Sequence, residues 1–187
     1  MHSQWFPALA TLGRDDNREW ARVVLGTMRI RPYTPTDLPV LHTIRTAAFA
    51  PVFASFRNIV GPDIAQLGLA TAEQEQADLL DAIAKPDSGH TIAVAEIDNT
   101  PVGFVSWKPD IAPGVGEITL NAIHPDHSGK GFGTALYEHA LAALKAAGMQ
   151  LATVGTGGDP SHAPARRAYE KAGFSVHLPS IYMYRKL

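Results

Sequence analysis

The stretch Glu117–Thr134, EITLNAIHPDHSGKGFGT, decides the fold. Its first part, from Glu117 to Ile123, predicts a β-strand. A turn follows, and then glycines at positions 129, 131 and 133. An amphipathic helical pattern begins inside this glycine run and ends at Gly148. The predicted order is therefore strand, glycine-rich loop and helix.

The glycine-rich loop predicts a binding site for a diphosphate. A helix N-terminus exposes unpaired backbone N–H groups and a partial positive charge, and glycines leave room for an anion to approach closely. The loop matches neither the phosphate-binding pattern G-x-x-x-x-G-K-[ST] nor the dinucleotide-binding pattern G-x-G-x-x-G. For the glycines taken alone, a structural role in turning the chain and tightening helix packing stays open.

The remaining patterns predict a mixed α/β domain without internal repeats. Helical spacing predicts helices over 36–48, from about 71 to 83, from 131 to 147 and over 164–171. Strand patterns predict strands over 28–33, 90–97, 102–107, 117–123, 151–154 and 180–186. We expect a single domain over residues 28–187, preceded by an N-terminal extension or arm at residues 1–27. Translation that starts at Met28 is an alternative explanation of that extension.

Composition excludes several classes of protein. The 187 residues include no cysteine, which excludes disulfides, thiolate zinc sites and a cysteine nucleophile. The net charge is -2 and the basic residues are scattered, so we expect no nucleic-acid partner. Apolar runs fall short of the ~20 residues that span a bilayer, and the N-terminal residues lack the order of a signal peptide. We expect a cytoplasmic protein without a membrane partner, and the oligomeric state stays open, a homodimer included.

Two segments resemble the signatures of the GNAT acyltransferase superfamily. Glu117–Thr134 is similar to its fourth strand and acyl-CoA loop, and residues 165–174, ARRAYEKAGF, are similar to its second signature helix. The resemblance covers about residues 28–187 and is weakest between 50 and 86, where the family's acceptor-binding elements vary. It implies the acyl-CoA N-acyltransferase fold, with a central, mostly antiparallel sheet that is splayed in the middle and flanked by helices.

The resemblance also implies how a cofactor is bound. Acetyl-CoA is the expected co-substrate, with its pantetheine arm in the splay and its thioester carbonyl polarised by a main-chain N–H near Ile123. Ser128 stands where the family usually has Gln or Arg, so backbone groups carry more of the binding. The residues expected to hold the pyrophosphate are Gly129, Lys130, Gly131, Phe132, Gly133 and Thr134.

Acyl transfer to an amine needs a neutral nucleophile, an oxyanion donor and a proton for the leaving thiolate. Tyr169 matches the family position near the CoA sulfur and is the expected general acid, with a packing tyrosine as the alternative. Strand alternation puts Glu117 on the face of Asn121 and Ile123, which predicts a base that acts through water, with a solvated glutamate as the alternative. Asn121 is polar in a buried strand and needs a partner, so we expect it to orient the acceptor or a water.

The polar loop after residue 154 supplies the last candidates for substrate binding. Asp159 is expected to pair with an ammonium group, and a capping or turn role is an equal alternative. His162 stands where an Asn commonly precedes the family's second helix, so it is a candidate contact, although capping or packing is favoured over catalysis. His124, Asp126 and His127 lie in one turn without a convincing further ligand, so no metal site is expected.

The sequence therefore predicts an acetyl-CoA-dependent N-acetyltransferase. It would transfer acetyl directly to the primary amine of a small molecule or to an amino-terminal group. A non-catalytic acyl-CoA-binding sensor or interaction module is the alternative from another class, and O-acylation or a longer acyl donor is a third. The acceptor stays unidentified.

Overall fold

A computed structural model describes residues 28–187, and the expectation about residues 1–27 lies outside this range. The centre is a five-stranded sheet with the spatial order β1-β2-β3-β4-β5. The first four strands form antiparallel pairs, whereas β4 and β5 are parallel. The strands are β1 (Met28–Pro32), β2 (Thr91–Ile97), β3 (Thr100–Asp110), β4 (Val115–Ile123) and β5 (Leu151–Val154). The predicted mostly antiparallel sheet is confirmed.

Five α-helices accompany the sheet within this range. They are α1 (Leu38–Val60), α2 (Pro62–Gly68), α3 (Ala72–Ile83), α4 (Phe132–Ala146) and α5 (Ala163–Lys171). The first helix is longer than the predicted 36–48, because Pro51 lies inside it without ending it. Pro51 is exposed, so the carbonyl group that loses its N–H partner can bond to water. No helix among residues 28–187 is long and apolar enough to cross a membrane.

Two apolar clusters, one on each face of the sheet, hold the layers together. On one face, α1 and α3 bury Leu41 and Leu80 against Phe104 of β3. On the opposite face, α4 buries Leu136 and Ala140 against the same sheet. Each fully buried leucine contributes roughly 1.5–3 kcal/mol relative to an exposed one. Both faces of the central strands are therefore covered, and the helices that cover them differ.

The turn between β2 and β3 is a two-residue hairpin connection. Asp98 and Asn99 have positive φ angles of 49° and 63°, a conformation that these two residue types adopt more readily than most others. The pairing of Ile97 with Thr100 follows directly from this turn. The strands predicted over 90–97 and 102–107 thus pair as a hairpin.

The prediction of a strand at residues 180–186 is wrong. Apolar and aromatic residues give this segment a strand-like composition, but no strand within residues 28–187 lies beside it to form a ladder. Its contacts are instead with α2, where the Tyr184 ring lies close to Gly68 and Lys186 Nζ pairs with Asp63 Oδ2 at 2.6 Å. Ile181 and Tyr182 are exposed.

An ion-pair network joins β1 to the helical turn that precedes α1. Arg31 donates both of its terminal guanidinium nitrogens to the Asp37 carboxylate, each at 2.8 Å, and its Nε to Glu96 Oε2 at 2.6 Å. Asp37 also accepts the backbone N–H of Thr34 at 2.8 Å, which caps the turn. The bonds from Arg31 outweigh the effect of burial and lower the pKa of Asp37 to about 2.

We expect Asp37→Asn to lower the free energy of unfolding at pH 7 by about 2 kcal/mol, because it leaves a partly buried guanidinium without one of its anions. The lowered pKa of Asp37 adds stability above the ordinary aspartate range near pH 4, and this stability is lost as the pH falls towards 2. The variant should therefore lose less stability than the wild type between pH 4 and pH 2. Urea unfolding at a series of pH values measures both effects.

Asp63→Asn is the matched control. Its pair with Lys186 is exposed on both sides, so its loss should change the unfolding free energy by less than about 0.5 kcal/mol. Equal effects of the two substitutions would show that the network near β1 adds nothing beyond a surface ion pair.

Candidate active site

The N-terminus of α4 forms a cradle of unpaired backbone N–H groups, comprising Gly129 through Thr134. These groups donate to no atom within residues 28–187, and the N–H of Ala135 makes the first helical bond, to Gly131 O at 3.1 Å. Gly129 and Gly131 have φ angles of 75° and 85°, in the left-handed region that favours glycine. A Cβ atom at either position would meet nothing within 4 Å. The cradle is thus open to an anion, which the helix dipole attracts.

Side chains contribute few hydrogen-bond donors to the cradle. Ser128 is exposed and makes no side-chain hydrogen bond within residues 28–187. Lys130 Nζ donates to the Asp126 carbonyl oxygen at 3.0 Å, which keeps its charge beside the loop. His127 Nδ1 is buried and has no hydrogen-bond partner in the part of the chain that the structure describes. Backbone groups are therefore the main donors here.

The sheet is splayed between β4 and β5. These strands pair over only four residues, Val115–Ile118 with Leu151–Val154, and β4 then continues to Ile123 with β3 as its neighbour. The N–H of His124 donates to Val102 O of β3 at 2.8 Å. Because bonding direction alternates along a strand, the N–H groups of Ile123 and Asn121 point away from β3 into the opening. The predicted splay is confirmed.

The cradle and the opening meet at Gly133. A Cβ atom there would lie 3.8 Å from Tyr137 Oη of α4 and 3.9 Å from Ile123 Cγ1 of β4. The N-terminus of α4 and the unpaired end of β4 are therefore in contact. An anion in the cradle and an extended chain in the opening can belong to one ligand.

Asn121, Tyr137 and Tyr169 form a polar cluster next to this opening. Tyr137 Oη donates to Asn121 Oδ1 at 2.8 Å, and Asn121 Nδ2 donates to Tyr169 Oη at 3.0 Å. The two tyrosine rings have centroids 4.5 Å apart. The prediction that Asn121 needs a partner is confirmed, but both ends of its amide contact tyrosines. The expectation that Asn121 orients the acceptor or a water stays a prediction.

Both tyrosines of the cluster are buried, and burial raises the pKa of each phenol. For Tyr169, the hydrogen bond from Asn121 lowers the pKa and offsets part of the rise. Both phenols are therefore protonated at neutral pH. A protonated phenol beside the opening can act as an acid.

A β-bulge in β4 overturns the prediction about Glu117. Val105 pairs with Asn121 and Trp107 with Ile118, so the two residues Thr119 and Leu120 lie opposite the single residue Ser106. An extra residue shifts the alternation of side chains by one position. Ile118 and Ile123 consequently both pack in the cluster under α4, together with Asn121, which contacts Tyr137 and Tyr169.

Glu117 is exposed on the other face of β4. Its partner in the pairing with β3 is Lys108. The prediction that Glu117 shares a face with Asn121 and Ile123 is wrong, because the bulge lies between them. Its role as a base therefore has no support from this geometry.

Asp159 and His162 form a separate cluster at the start of α5. Asp159 Oδ1 contacts His162 Nδ1 at 2.6 Å, while Asp159 Oδ2 accepts from Ser55 Oγ of α1 at 2.8 Å and from Ser161 N at 3.0 Å. Burial opposes ionisation of Asp159, but the bonds from Ser161, His162 and Ser55 prevail and lower its pKa. The His162 ring stacks on Phe56, with centroids 5.6 Å apart.

These contacts correspond to the capping and packing alternatives for Asp159 and His162. Asp159 caps the turn Pro160–His162, and its carboxylate accepts hydrogen bonds from Ser55 and Ser161. Gly157 is required beside it, since a Cβ atom there would lie 2.5 Å from His162 Nδ1. The cluster therefore joins α1 to the loop before α5.

Tyr137 and Ser55, which contact candidate residues, are not themselves candidates from the sequence. The sequence gives one indication for Tyr137, which is its position one helical turn after Gly133. Its apolar neighbours, however, are typical of a core residue. Ser55 is 104 positions away from Asp159 in the sequence, and no local pattern points to that contact.

Comparison with known proteins agrees with this geometry. A family model described as the acetyltransferase (GNAT) family matches residues 54–174, more than half of the chain. The chain belongs to this family. The matched residues include the cradle, the unpaired end of β4 and Tyr169. The elements described above therefore lie within the part of the chain that matches the GNAT acetyltransferase family.

Individual GNAT relatives share the fold and part of the sequence. Mycothiol acetyltransferase from Sanguibacter keddieii is 35% identical over 117 residues, which are 59% of this chain and 36% of that protein. The matched region thus spans about a third of the length of that curated relative.

Solved structures of other proteins have a similar fold. A GNAT family acetyltransferase from Brucella melitensis in complex with acetyl-CoA has a TM-score of 0.57 at 23% identity, covering 80% of this chain and 83% of that one. PaiA N-acetyltransferase from Thermoplasma acidophilum in complex with coenzyme A has a TM-score of 0.60 at 20% identity, covering 81% and 91%.

The bulge in β4 generates a prediction about stability. Ser106 is fully buried, and its Oγ contacts both the Leu120 carbonyl oxygen and Thr119 Oγ1 at 2.7 Å. We expect Ser106→Ala to lower the free energy of unfolding by about 2 kcal/mol, because the buried carbonyl loses its donor. Urea unfolding measures the change.

Thr119→Val is the control, since it removes the other hydroxyl of the pair and leaves the bond from Ser106 to Leu120 intact. Its expected effect is below about 1 kcal/mol. Equal losses for the two variants would contradict a special role for the Leu120 carbonyl.

Proposed function

We propose that this GNAT-family chain is an acetyl-CoA-dependent N-acetyltransferase that transfers acetyl directly to a primary amine of a small molecule or to an amino-terminal group. The observation that carries the proposal is the meeting of three features at Gly133. They are the open cradle of N–H groups, the unpaired end of β4 and the polar cluster that contains Tyr169. One extended ligand with a diphosphate at one end and a thioester at the other fits all three.

The cradle fits the pyrophosphate of acetyl-CoA. Its unpaired N–H groups and the N-terminal end of the α4 dipole both favour negative charge, and the open space at Gly129 and Gly131 permits close approach. The two solved relatives with acetyl-CoA or coenzyme A support this choice of ligand. Gly129, Lys130, Gly131, Phe132, Gly133 and Thr134 would supply the backbone donors, and Ser128 borders them.

The unpaired end of β4 would hold the arm that carries the thioester. Its outward N–H groups can bond to an extended ligand as they would to a neighbouring strand. The N–H of Ile123 would polarise the thioester carbonyl and stabilise the oxyanion that forms when an amine attacks. This donor belongs to the backbone, so the contribution does not depend on the side chain at position 123.

Tyr169 would donate the proton that the leaving thiolate needs. Its buried phenol is protonated before the reaction and is held by Asn121 beside the opening. The amine must arrive uncharged, and the proposal assigns its deprotonation to solvent rather than to Glu117, which faces away. Asp159 and His162 would support the wall between α1 and α5 on the acceptor side.

The test is the release of free CoA from acetyl-CoA in the presence of a panel of amines. The panel contains amino acids, polyamines, aminoglycosides and peptides with a free amino terminus. Because the chain has no cysteine, a thiol reagent reports only the CoA that the reaction releases. We expect release that depends on both the enzyme and an amine, together with acetylated product in mass spectrometry.

A non-catalytic acyl-CoA sensor gives a different result. It would gain thermal stability from acetyl-CoA, as any ligand of the native state does, but would release no CoA with any amine. Binding without turnover across the panel would reject the proposed activity and favour the sensor.

The cradle itself can be tested with Gly131→Ala. Alanine in the left-handed conformation is strained by about 1–2 kcal/mol, and relief of this strain moves the N–H groups away from the anion. We expect the KM for acetyl-CoA to rise about tenfold, equivalent to about 1.4 kcal/mol of lost binding. Steady-state kinetics with varied acetyl-CoA measure this change.

Gly148→Ala is the matched control at the other end of α4. Gly148 has a φ angle of 86° and no atom within 4 Å of an added Cβ, so the strain is similar but the cradle is untouched. Its KM should equal that of the wild type. If both variants raise the KM equally, the effect comes from helix stability rather than from the cradle.

A further inference from the structure

Asn121 connects two buried tyrosines that approach it from two different helices. Tyr137 comes from α4 and Tyr169 from α5, and their hydroxyl groups lie 2.8 Å and 3.3 Å from the same amide oxygen. The amide nitrogen lies 3.0 Å from Tyr169 Oη. A side chain that only filled space in this position would not need two tyrosine partners.

We propose that Asn121 and Tyr137 are positioning residues for Tyr169: they make the Tyr169 oxygen a hydrogen-bond acceptor, so that its own proton is available to the departing thiolate. The inference rests on the proposed acetyltransferase function and deepens it. Asn121 and Tyr137 act through Tyr169 and not by contact with the acyl donor.

The hydroxyl proton of Tyr137 sets the orientation of the Asn121 amide. Tyr137 has a single hydroxyl proton, which it donates to Asn121 Oδ1 at the shorter distance of 2.8 Å. Asn121 Nδ2 is then directed towards Tyr169 Oη and, at 3.4 Å, towards the carbonyl oxygen of Thr119. Amide nitrogen only donates, so both of these oxygens must accept. Tyr137 thereby fixes which end of the amide faces Tyr169.

The orientation of the Asn121 amide determines where the Tyr169 proton can go. A phenol carries one proton and can also accept hydrogen bonds. When its oxygen accepts from Asn121, the O–H is free to point towards the opening beside β4. As the carbon–sulfur bond of the thioester breaks, sulfur takes the bonding electrons and the phenol proton, which gives a thiol and a phenolate. The phenolate then recovers, through solvent, the proton that the attacking amine nitrogen loses as the amide forms.

The bond from Asn121 also favours this transfer. It points to the oxygen on which negative charge develops, where a donor is worth most. The ring is held in place by Tyr137, with centroids 4.5 Å apart, and by Phe174, with centroids 5.9 Å apart at 76°. Tyr169 is only 6% exposed, so this arrangement excludes competing water. Position, proton and developing charge are thus controlled by the same group of side chains.

The decisive variant is Asn121→Asp, which keeps the size of the side chain but removes both amide donors. An ionised carboxylate accepts only, so it would hold the Tyr169 proton and oppose charge on the phenolate. We expect kcat to fall about 100-fold, the lower end of the usual contribution of an acid catalyst. The KM for acetyl-CoA should stay within about twofold of the wild type, since the cradle is unchanged.

Tyr137→Phe is the second variant and carries the test if the aspartate variant does not fold. It removes one hydroxyl and leaves Asn121 Oδ1 to the hydroxyl of Tyr169, which lies 3.3 Å away. The proton of Tyr169 is then drawn towards the amide, and kcat should fall about tenfold with little change in KM. Thermal unfolding with and without acetyl-CoA checks that each variant is folded and binds the donor.

A double-mutant cycle with Tyr169→Phe separates positioning from a merely structural role. Once the phenol proton is absent, Asn121→Asp or Tyr137→Phe should slow the reaction no further, so the double variants should match Tyr169→Phe alone. Losses of kcat that multiply, kcat values equal to the wild type, or a rise in KM alone would overturn the inference. Turnover by the wild-type chain tests the proposed function separately, because it does not depend on any of these variants.

Discussion

The β-bulge in β4, where buried Ser106 donates to the Leu120 carbonyl oxygen, decides which helices each half of β4 meets. This hydrogen bond stabilises the extra residue that shifts the alternation of side chains along the strand. Without that shift, a strand that directs Ile118 towards α4 would direct Asn121 towards α1 and α3. Tyr137 and Tyr169 would then lack their shared partner. The polar cluster therefore depends on one β-bulge in the pairing of β3 with β4.

The candidate site lies where the fold leaves backbone groups without internal partners. Within the part of the chain that the structure describes, the end of β4 has no second neighbouring strand, and the start of α4 has free N–H groups as every helix does. A buried backbone group without a partner costs about 1–3 kcal/mol, so such groups persist where water or a ligand can reach them. At Gly133 the two sets of free donors meet. A ligand with matching acceptors completes hydrogen bonding that the protein alone cannot complete.

Features that depend on neighbouring residues were predictable from the sequence. The glycine run with its helix, the hairpin at Asp98 and Asn99, and the strand before the cradle all carry their signals within a few positions. The need of Asn121 for a partner was predictable as well, because a polar side chain in a buried strand requires one. Its partners were not, since Tyr169 is 48 positions away and reaches Asn121 only after α5 packs beside α4.

The errors have physical causes of the same kind. The face of Glu117 was predicted by regular alternation, and the bulge that breaks it depends on Ser106 in another strand. The strand predicted at residues 180–186 has suitable side chains but no neighbouring strand within residues 28–187, which composition cannot supply. For Asp159 the sequence left capping and substrate binding open, and its contact with Ser55 comes from distant α1.

No turn determines the register of β1 against β2. About sixty residues separate β1 from β2, so chain connectivity alone would tolerate several alignments of the two strands. A slip by one residue would move Arg29 and Arg31 to the opposite face of the sheet, away from Glu96, and would turn Met28 and Ile30 out of the apolar cluster under α4. Charge and hydrophobicity thus select the same alignment independently. The ion pairs at this edge specify which alignment forms, in addition to any contribution to how stable it is.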